Sequence, residues 1–467
     1  MGRKNKDNPT VSKKEFLMVG ILIFGGFITV LNQMVMSPAL PSIMATFGVD
    51  AAQGQWLTSI FLLVNGLMVP ITAWLIGNFT SRQLFFAALG VFTVGTVICA
   101  LAGSFAVLLG GRVLQAVGAG IMLPFVSVMI MRIFPKERRG FALGVVGVVM
   151  GVAPAAGPTL GGWLTDAFGW QYIFFAMLPL AVAAIVLAAV LLRNLGDRSP
   201  TKLDWLSVLL STAGFGGLLY GFSSAGSAGW LAPQTLVSIL GGAGIVVLFV
   251  VRQVRRDEPM LNFRVFKNKS FTAGMTVTTI IASGMTVGGV ITPIFLQNVL
   301  GYSAMQTGLI IMPAAIIMAG ISPVSGMLFD RFGPRALCIT GCAVIAAGSG
   351  MLALVGPETT GLYICLAYSF RMGGIALVNM PANTWGLNAL KDESIAHGNA
   401  IINTSRQVFG SIGTAVLVTV MTLVSGIFAP SGELVAVSRG IDAAYAGAAL
   451  ITVAALALSI AKVGRKA

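Results

Sequence analysis

Residues 170–193 read WQYIFFAMLPLAVAAIVLAAVLLR, with no charged residue before the closing Arg193. A helix rises about 1.5 Å per residue, so roughly 20 apolar residues cross the ~30 Å hydrocarbon core of a bilayer. This stretch is therefore long enough to be a membrane span. Runs of the same kind recur on both sides of it, along the whole chain. There are fourteen, beginning near Phe16, Gln55, Leu84, Leu108, Gly140, Trp170, Trp205, Thr235, Phe271, Gln306, Ala336, Gly361, Ala396 and Asp442. In lipid every backbone group must be satisfied internally, and uncharged runs of this length do so as helices. The predicted fold class is an all-α polytopic membrane protein with fourteen transmembrane helices.

Composition points the same way. Of 467 residues, 56% are hydrophobic and 9% charged, and mean hydropathy is +0.91. Soluble domains carry about 25% charged residues, so this chain lacks the polar surface to cover a water-soluble particle. A soluble enzyme, a disordered protein and a secreted disulfide scaffold are excluded. The 58 glycines are about 12% of the chain, against an average near 7%, and glycine is frequent in membrane helices. Cys99, Cys338, Cys342 and Cys365 lie in apolar runs without companions at metal-binding spacing. They read as small apolar residues, and no metal or cofactor is expected.

A formal net charge of +14 and a pI near 10.1 raise nucleic acid as a partner. The distribution of the charge argues against it. With the N-terminus placed in the cytoplasm, 25 of the 29 Lys and Arg fall in the tails and in the loops on that side. They include Arg3, Lys4 and Lys6 in the first tail, Arg198 and Lys202 after the sixth span, and Arg465 and Lys466 at the end. Only Arg439 falls outside, while Arg112, Arg371 and Arg406 fall within spans. This is the positive-inside pattern, so the charge reports topology and no nucleic acid is expected. Both termini are expected in the cytoplasm, where a reporter fused after Lys466 should be active. The run from Phe16 to Met36 is too long for a signal peptide and lacks a cleavage site, and Lys6 spoils a myristoylation signal.

No loop is long enough for a soluble domain. A weak repeat is visible, because Gly77–Leu84 after the second span and Gly326–Arg335 after the tenth are both tight basic turns. Arg112 in the fourth span and Arg371 in the twelfth repeat the theme. The chain therefore divides into an N-terminal six-helix bundle (1–192), two inserted helices with their linkers (193–269) and a C-terminal six-helix bundle (270–467). Two halves rocking about a midplane site are the usual plan of secondary transporters.

Several stretches carry a family resemblance. They are Leu31-Asn32-Gln33 with Ala39-Leu40-Pro41, Gly111-Arg112 with Gln115 and Gly118, Gly151 through Pro154, Gly157, Pro158 and Gly161 to Trp163, the Asp330 turn, and Asn403 through Arg406 and Gln407. In this order the chain resembles the major facilitator superfamily, in its fourteen-span drug:proton antiporter branch (QacA/EmrB/LmrB-like). The resemblance covers essentially the whole chain. It implies a bacterial inner-membrane exporter, and it gives the glycine-proline stretch of the fifth span the role of an antiporter motif. Gly147 with Gly151 and Gly157 with Gly161 are four apart, a spacing that shares a helical face and lets helix backbones touch.

An arginine inside the membrane is costly and normally faces a cavity or a partner. Arg112 is accordingly expected beside the transport path, with snorkelling to the outer headgroups as the alternative. Arg371 and Arg406 are similar cases that backbone carbonyls could hold. Asp330, with Arg331, can cap an adjacent helix N-terminus, and the resemblance makes that a gate holding the two halves in one state. In the N-terminal half the matching turn has Gly77 and Thr80 where relatives carry Asp and Gly.

The amides Asn32, Gln33, Asn65, Gln115, Asn379, Asn383, Asn403 and Gln407 are expected to face one another, water or substrate, and are the candidate substrate-binding residues. Taken singly, each reads first as an interhelical hydrogen bond, and as a set they describe a cavity with dipoles but few charges. Relatives often carry Asp where this chain has Asn32, and no acid lies at a span centre. The titratable candidates are Asp166 at the outer end of the fifth span, Asp330 and the lone His397, of which the loop-edge histidine reads as incidental. Proton antiport, if present, is expected to run through Asp166 or Asp330 with Arg112, or through direct competition with a protonatable substrate. Asn32→Ala is expected to alter substrate affinity more than pH dependence. Gly157→Leu is expected to abolish transport and leave expression intact.

The chain is thus read as a secondary transporter, not an enzyme, exporting amphipathic neutral or cationic compounds. No nucleotide-binding motif is present. Its expected partners are those substrates, protons and membrane lipids, and it is expected to be a monomer. A lipid or lipid-precursor flippase of the same fold is the alternative, and a non-transporting receptor is a third reading.

Overall fold

The computed structural model describes residues 13–49, 51–194, 204–302 and 304–464. Arg3, Lys4, Lys6, Arg198, Lys202, Arg465 and Lys466 lie outside the described residues. Among the described residues, fourteen helices are long and apolar enough to cross a membrane. The first set comprises α1 (Lys13–Met34), a short α2 (Met36–Phe47), α3 (Ala51–Asn78), α4 (Ser81–Ala100), α5 (Phe105–Ile133), α6 (Arg139–Phe168) and α7 (Tyr172–Leu191). Two further helices follow, α8 (Trp205–Ala228) and α9 (Pro233–Arg255). The last set is α10 (Lys269–Ile294), α11 (Ala304–Phe332), α12 (Pro334–Leu352), α13 (Gly361–Asn388), α14 (Asp392–Phe428) and α15 (Glu433–Lys462).

Local chemistry starts these helices where it does. Ser104, Asp204, Asn268 and Thr360 each accept a hydrogen bond from a backbone N–H of the helix they precede, satisfying a donor that has no intrahelical partner. Thr80 and Gln83 form a reciprocal capping box at the start of α4, with 3.1 Å bonds in both directions. The same turn reaches the end of α7, where Arg82 donates from its backbone N–H to Asn194 Oδ1 at 3.3 Å and from Nη2 to the Ala189 carbonyl at 2.9 Å.

Glycine sets the closest helix contacts. A Cβ on Gly95 of α4 would lie 2.7 Å from the Gln115 amide nitrogen of α5, and one on Gly111 would lie 2.6 Å from Cys99 Sγ. Gly242 of α9 meets Leu218 of α8, and Gly348 of α12 meets Arg371 of α13, at 2.8 Å in each case. Lipid offers no hydrophobic drive between helices, so backbone approach of this kind is what binds them. The two sets meet along α6 and α11 on one side and along α3 and α14 on the other. Helix α8 packs against both α3 and α14. Trp56 stacks on Tyr220 with ring centres 6.2 Å apart, and Trp230 Nε1 donates to Thr419 Oγ1 at 2.7 Å. One of the two seams is thus covered by α8, with α9 packed behind it.

Candidate functional site

Arg112 lies two turns into α5 and is 0% exposed, so it is buried in protein rather than snorkelling to a headgroup layer. Its guanidinium carbon sits 4.4 Å from the centre of the Phe61 ring. Nε donates to the Leu57 carbonyl at 3.2 Å and Nη1 to Gln115 Oε1 at 3.0 Å. Gln115 Nε2 in turn donates to Thr96 Oγ1 at 2.9 Å and to Asn32 Oδ1 at 3.4 Å. Four helices, α1, α3, α4 and α5, therefore converge on one arginine. A buried ion costs several kcal/mol, and a desolvated cation–π contact of about 2 kcal/mol offsets only part of that. Arg112 Nη2 and Asn32 Nδ2 have no hydrogen-bond partner. The ion pairs among the described residues join Arg139 to Asp392, Arg252 and Arg256 to Asp204, and Arg439 to Asp442, so none involves Arg112.

Arg371 of α13 is the counterpart in the last set and is 1% exposed. It donates from Nε to Ser349 Oγ at 3.1 Å and from Nη2 to the Gly284 carbonyl, while Nη1 is unpaired. Arg406 of α14 is half-buried, one residue before Gln407.

The basic ends of α6 and α11 are locked together. Asp330 belongs to the last turn of α11 rather than to a free turn. Its carboxylate accepts from the Gly140 amide at 3.0 Å and from the Phe141 amide at 2.9 Å, two of the orphan donors that open α6. The capped helix is therefore not the adjacent α12 but α6, in the other set. Arg139 adds a second tie, donating from Nη1 to Asn388 Oδ1 at 3.2 Å with Asp392 at 3.7 Å. Arg331 is exposed and lies over the Phe332 ring.

Glycines continue this seam: a Cβ on Gly144 would fall 2.6 Å from the Ser322 carbonyl, and one on Gly151 would fall 2.8 Å from the Ala315 carbonyl. Gly157 and Gly161 behave differently. Their added Cβ atoms would strike Met34 and Val35, at the junction of α1 and α2. The two glycine pairs of α6 thus face different partners, one across the sets and one within the first set. Pro158, beside Gly157, is exposed.

The amides fall into three groups. Asn32 and Gln115 are tied into the Arg112 network. Asn65 and Gln407 meet across the α3–α14 seam, with Gln407 Nε2 donating to Asn65 Oδ1 at 3.5 Å. Asn403 donates to the Asn399 carbonyl at 2.9 Å, and Asn399 Nδ2 donates to the Pro124 carbonyl of α5 at 3.0 Å. Asn379 and Asn383 are buried in α13, and Gln33 is half-buried beside Asn32.

In the sequence Phe61 reads as an apolar wall and Arg139 as one of the basic loop residues, without the partners that the structure gives them, and Leu57 and Asn399 are not singled out. A carbonyl carries no signal without its neighbours. Asn399 alone, one turn before Asn403, had a legible helical spacing.

The acids also sort themselves. Asp166 is exposed in the last turn of α6 and makes no ion pair with Arg112. His397 is half-buried in α14, with Nδ1 unpaired. Asp442 was placed at the start of the last span, but α15 begins nine residues earlier, at Glu433. Asp442 therefore sits well inside that helix, 3.7 Å from Arg439, with Oδ1 buried and unpaired. Outside the spans, Asp204 gathers Arg252 at 3.0 Å, Arg256, and Ser207. Burial pushes its carboxyl up, but hydrogen bonds from Arg252 and Ser207 outweigh burial and hold it well below the usual range. A cleft of 460 Å³ lined by Arg82, Phe86 and Asn194 opens at the basic end of α4 and α7, apart from the Arg112 network.

Fourteen apolar helices, one arginine buried well inside a span in each set and a capped glycine seam between the sets define a polytopic membrane transporter. The chain belongs to the Major Facilitator Superfamily, whose description matches residues 22–414. It is 44% identical over 455 residues to the uncharacterized MFS-type transporter YcnB of Bacillus subtilis, covering 97% of this chain and 96% of that one. It is 37% identical over 405 residues to the lincomycin resistance protein LmrB of Listeria monocytogenes, covering 87% and 86% respectively. Among solved structures the human organic anion transporter MFSD10 shares the fold, with a TM-score of 0.71 at 14% identity over 95% of this chain and 99% of that one.

Proposed function

We propose that this transporter exports amphipathic small molecules by alternating access, driven by the proton gradient. The observation that carries the reading is the Asp330 latch. A carboxylate of one set caps the first amides of a helix in the other, a contact of two hydrogen bonds that can break and re-form. A contact of this kind can be exchanged for another packing at modest cost, as a rocking transporter requires. The similarity to proteins named for lincomycin and multidrug resistance supports drugs as cargo. In this reading residues 1–192 and 270–467 are the rocking halves and 193–269 is the insertion. The basic end faces the cytoplasm of a bacterial inner membrane, and Asp330 sits at the inner gate.

The test is transport in everted vesicles against a panel of drugs, lysolipids and fatty acids, with and without a protonophore. Uptake of drugs that collapses with the protonophore is expected. A well-expressed protein that moves no drug, or moves lysolipid alone, overturns the reading.

A further inference from the structure

We propose that the Arg112 network is an anion site, in which Arg112 Nη2 and Asn32 Nδ2 take a small monovalent anion. The anion is a halide or the carboxylate of a transported amphipath. Both nitrogens belong to side chains at least 99% buried, and both lack a partner. Gln115 joins the two side chains, using its own oxygen for Arg112 and its own nitrogen for Thr96 and Asn32. Thr96 Oγ1 is engaged as well, donating to the Phe92 carbonyl at 2.8 Å. The acceptors of this network are thus engaged, and what it leaves over is two donors and one uncompensated positive charge. That is the chemistry of an anion receptor and the reverse of a cation site. Hydrogen bonds from a charged donor to an anion are roughly twice as strong as neutral ones.

The carboxylate form rests on the export reading, whereas the halide form does not. The experiment follows the thermal unfolding of full-length protein in detergent while chloride replaces gluconate at constant ionic strength. A second series adds octanoate, with octanamide as the uncharged control. Wild type is expected to gain stability saturably with chloride, with octanoate, or with both in competition, and not with octanamide. Asn32→Asp carries its own negative charge into the network and is expected to lose the response. Asn32→Leu, similar in shape but without the donor, is expected to weaken apparent anion affinity about tenfold.

A chloride response alone assigns a resident ion, and octanoate binding displaced by chloride assigns a substrate headgroup. No response in wild type, or an undiminished response in Asn32→Asp and Asn32→Leu, overturns the proposal. A chloride response in a protein that exports nothing leaves the site standing and refutes the export reading.

Discussion

Asp330 shows how far a single residue can be read without its neighbours. A carboxylate in a basic turn of a membrane protein is visible in the sequence, and its capping chemistry follows from the helix dipole. Its partners do not, because Gly140 and Phe141 lie some 190 positions away and nothing in their own residue types marks them as acceptor-bound. The same limit applies to Arg112, whose cost inside the membrane was legible while Phe61 and Leu57 were not. Hydrogen bonds to a charged group contribute about 1.5–3 kcal/mol, and about 1.4 kcal/mol is a factor of ten in an equilibrium. Asp330→Asn removes the charge and one of the two acceptor oxygens. It is expected to raise the alkylation rate of Ser322→Cys, in a background without the four native cysteines, by about tenfold. An unchanged rate would show that the latch does not hold this seam shut.

At the scale of the element, helix spacing reveals a face but not who faces it. The four-residue glycine steps of α6 were visible, yet Gly144 and Gly151 meet α11 while Gly157 meets Met34 of its own set. Substitution in the two places should therefore have different consequences, and the expectation for Gly157→Leu changes. Bulk at Gly157 wedges α6 from the α1–α2 junction and should lower the yield of folded protein. Gly144→Leu should leave folding largely intact and cut transport at least tenfold, since it separates only the two sets. Yield by size-exclusion chromatography alongside transport rate distinguishes the two. Equal behaviour of the two variants would dissolve the distinction. Helices α8 and α9 were legible as spans, but the seat of α8 across α3 and α14 depends on Trp230, Thr419, Trp56 and Tyr220, ordinary residues in sequence.

For the whole molecule, span count was readable because apolar length is a one-dimensional property, and bilayer thickness sets the ruler. Orientation rests on the basic loops alone. In intact cells an impermeant maleimide should label Glu358→Cys, between α12 and α13, and should reach Lys136→Cys, between α5 and α6, only after permeabilisation. The opposite pattern would invert the molecule. The placing of one arginine well inside a span in each set bears on what this protein costs a cell when idle. With no anion bound, such a charge repels a passing cation such as sodium, because moving a unit charge past another at close range in a poorly polarisable medium is steeply uphill. Unloaded copies should therefore insulate the membrane rather than short-circuit it, so that abundance need not be purchased with a leak of the ion gradients that power the rest of the cell.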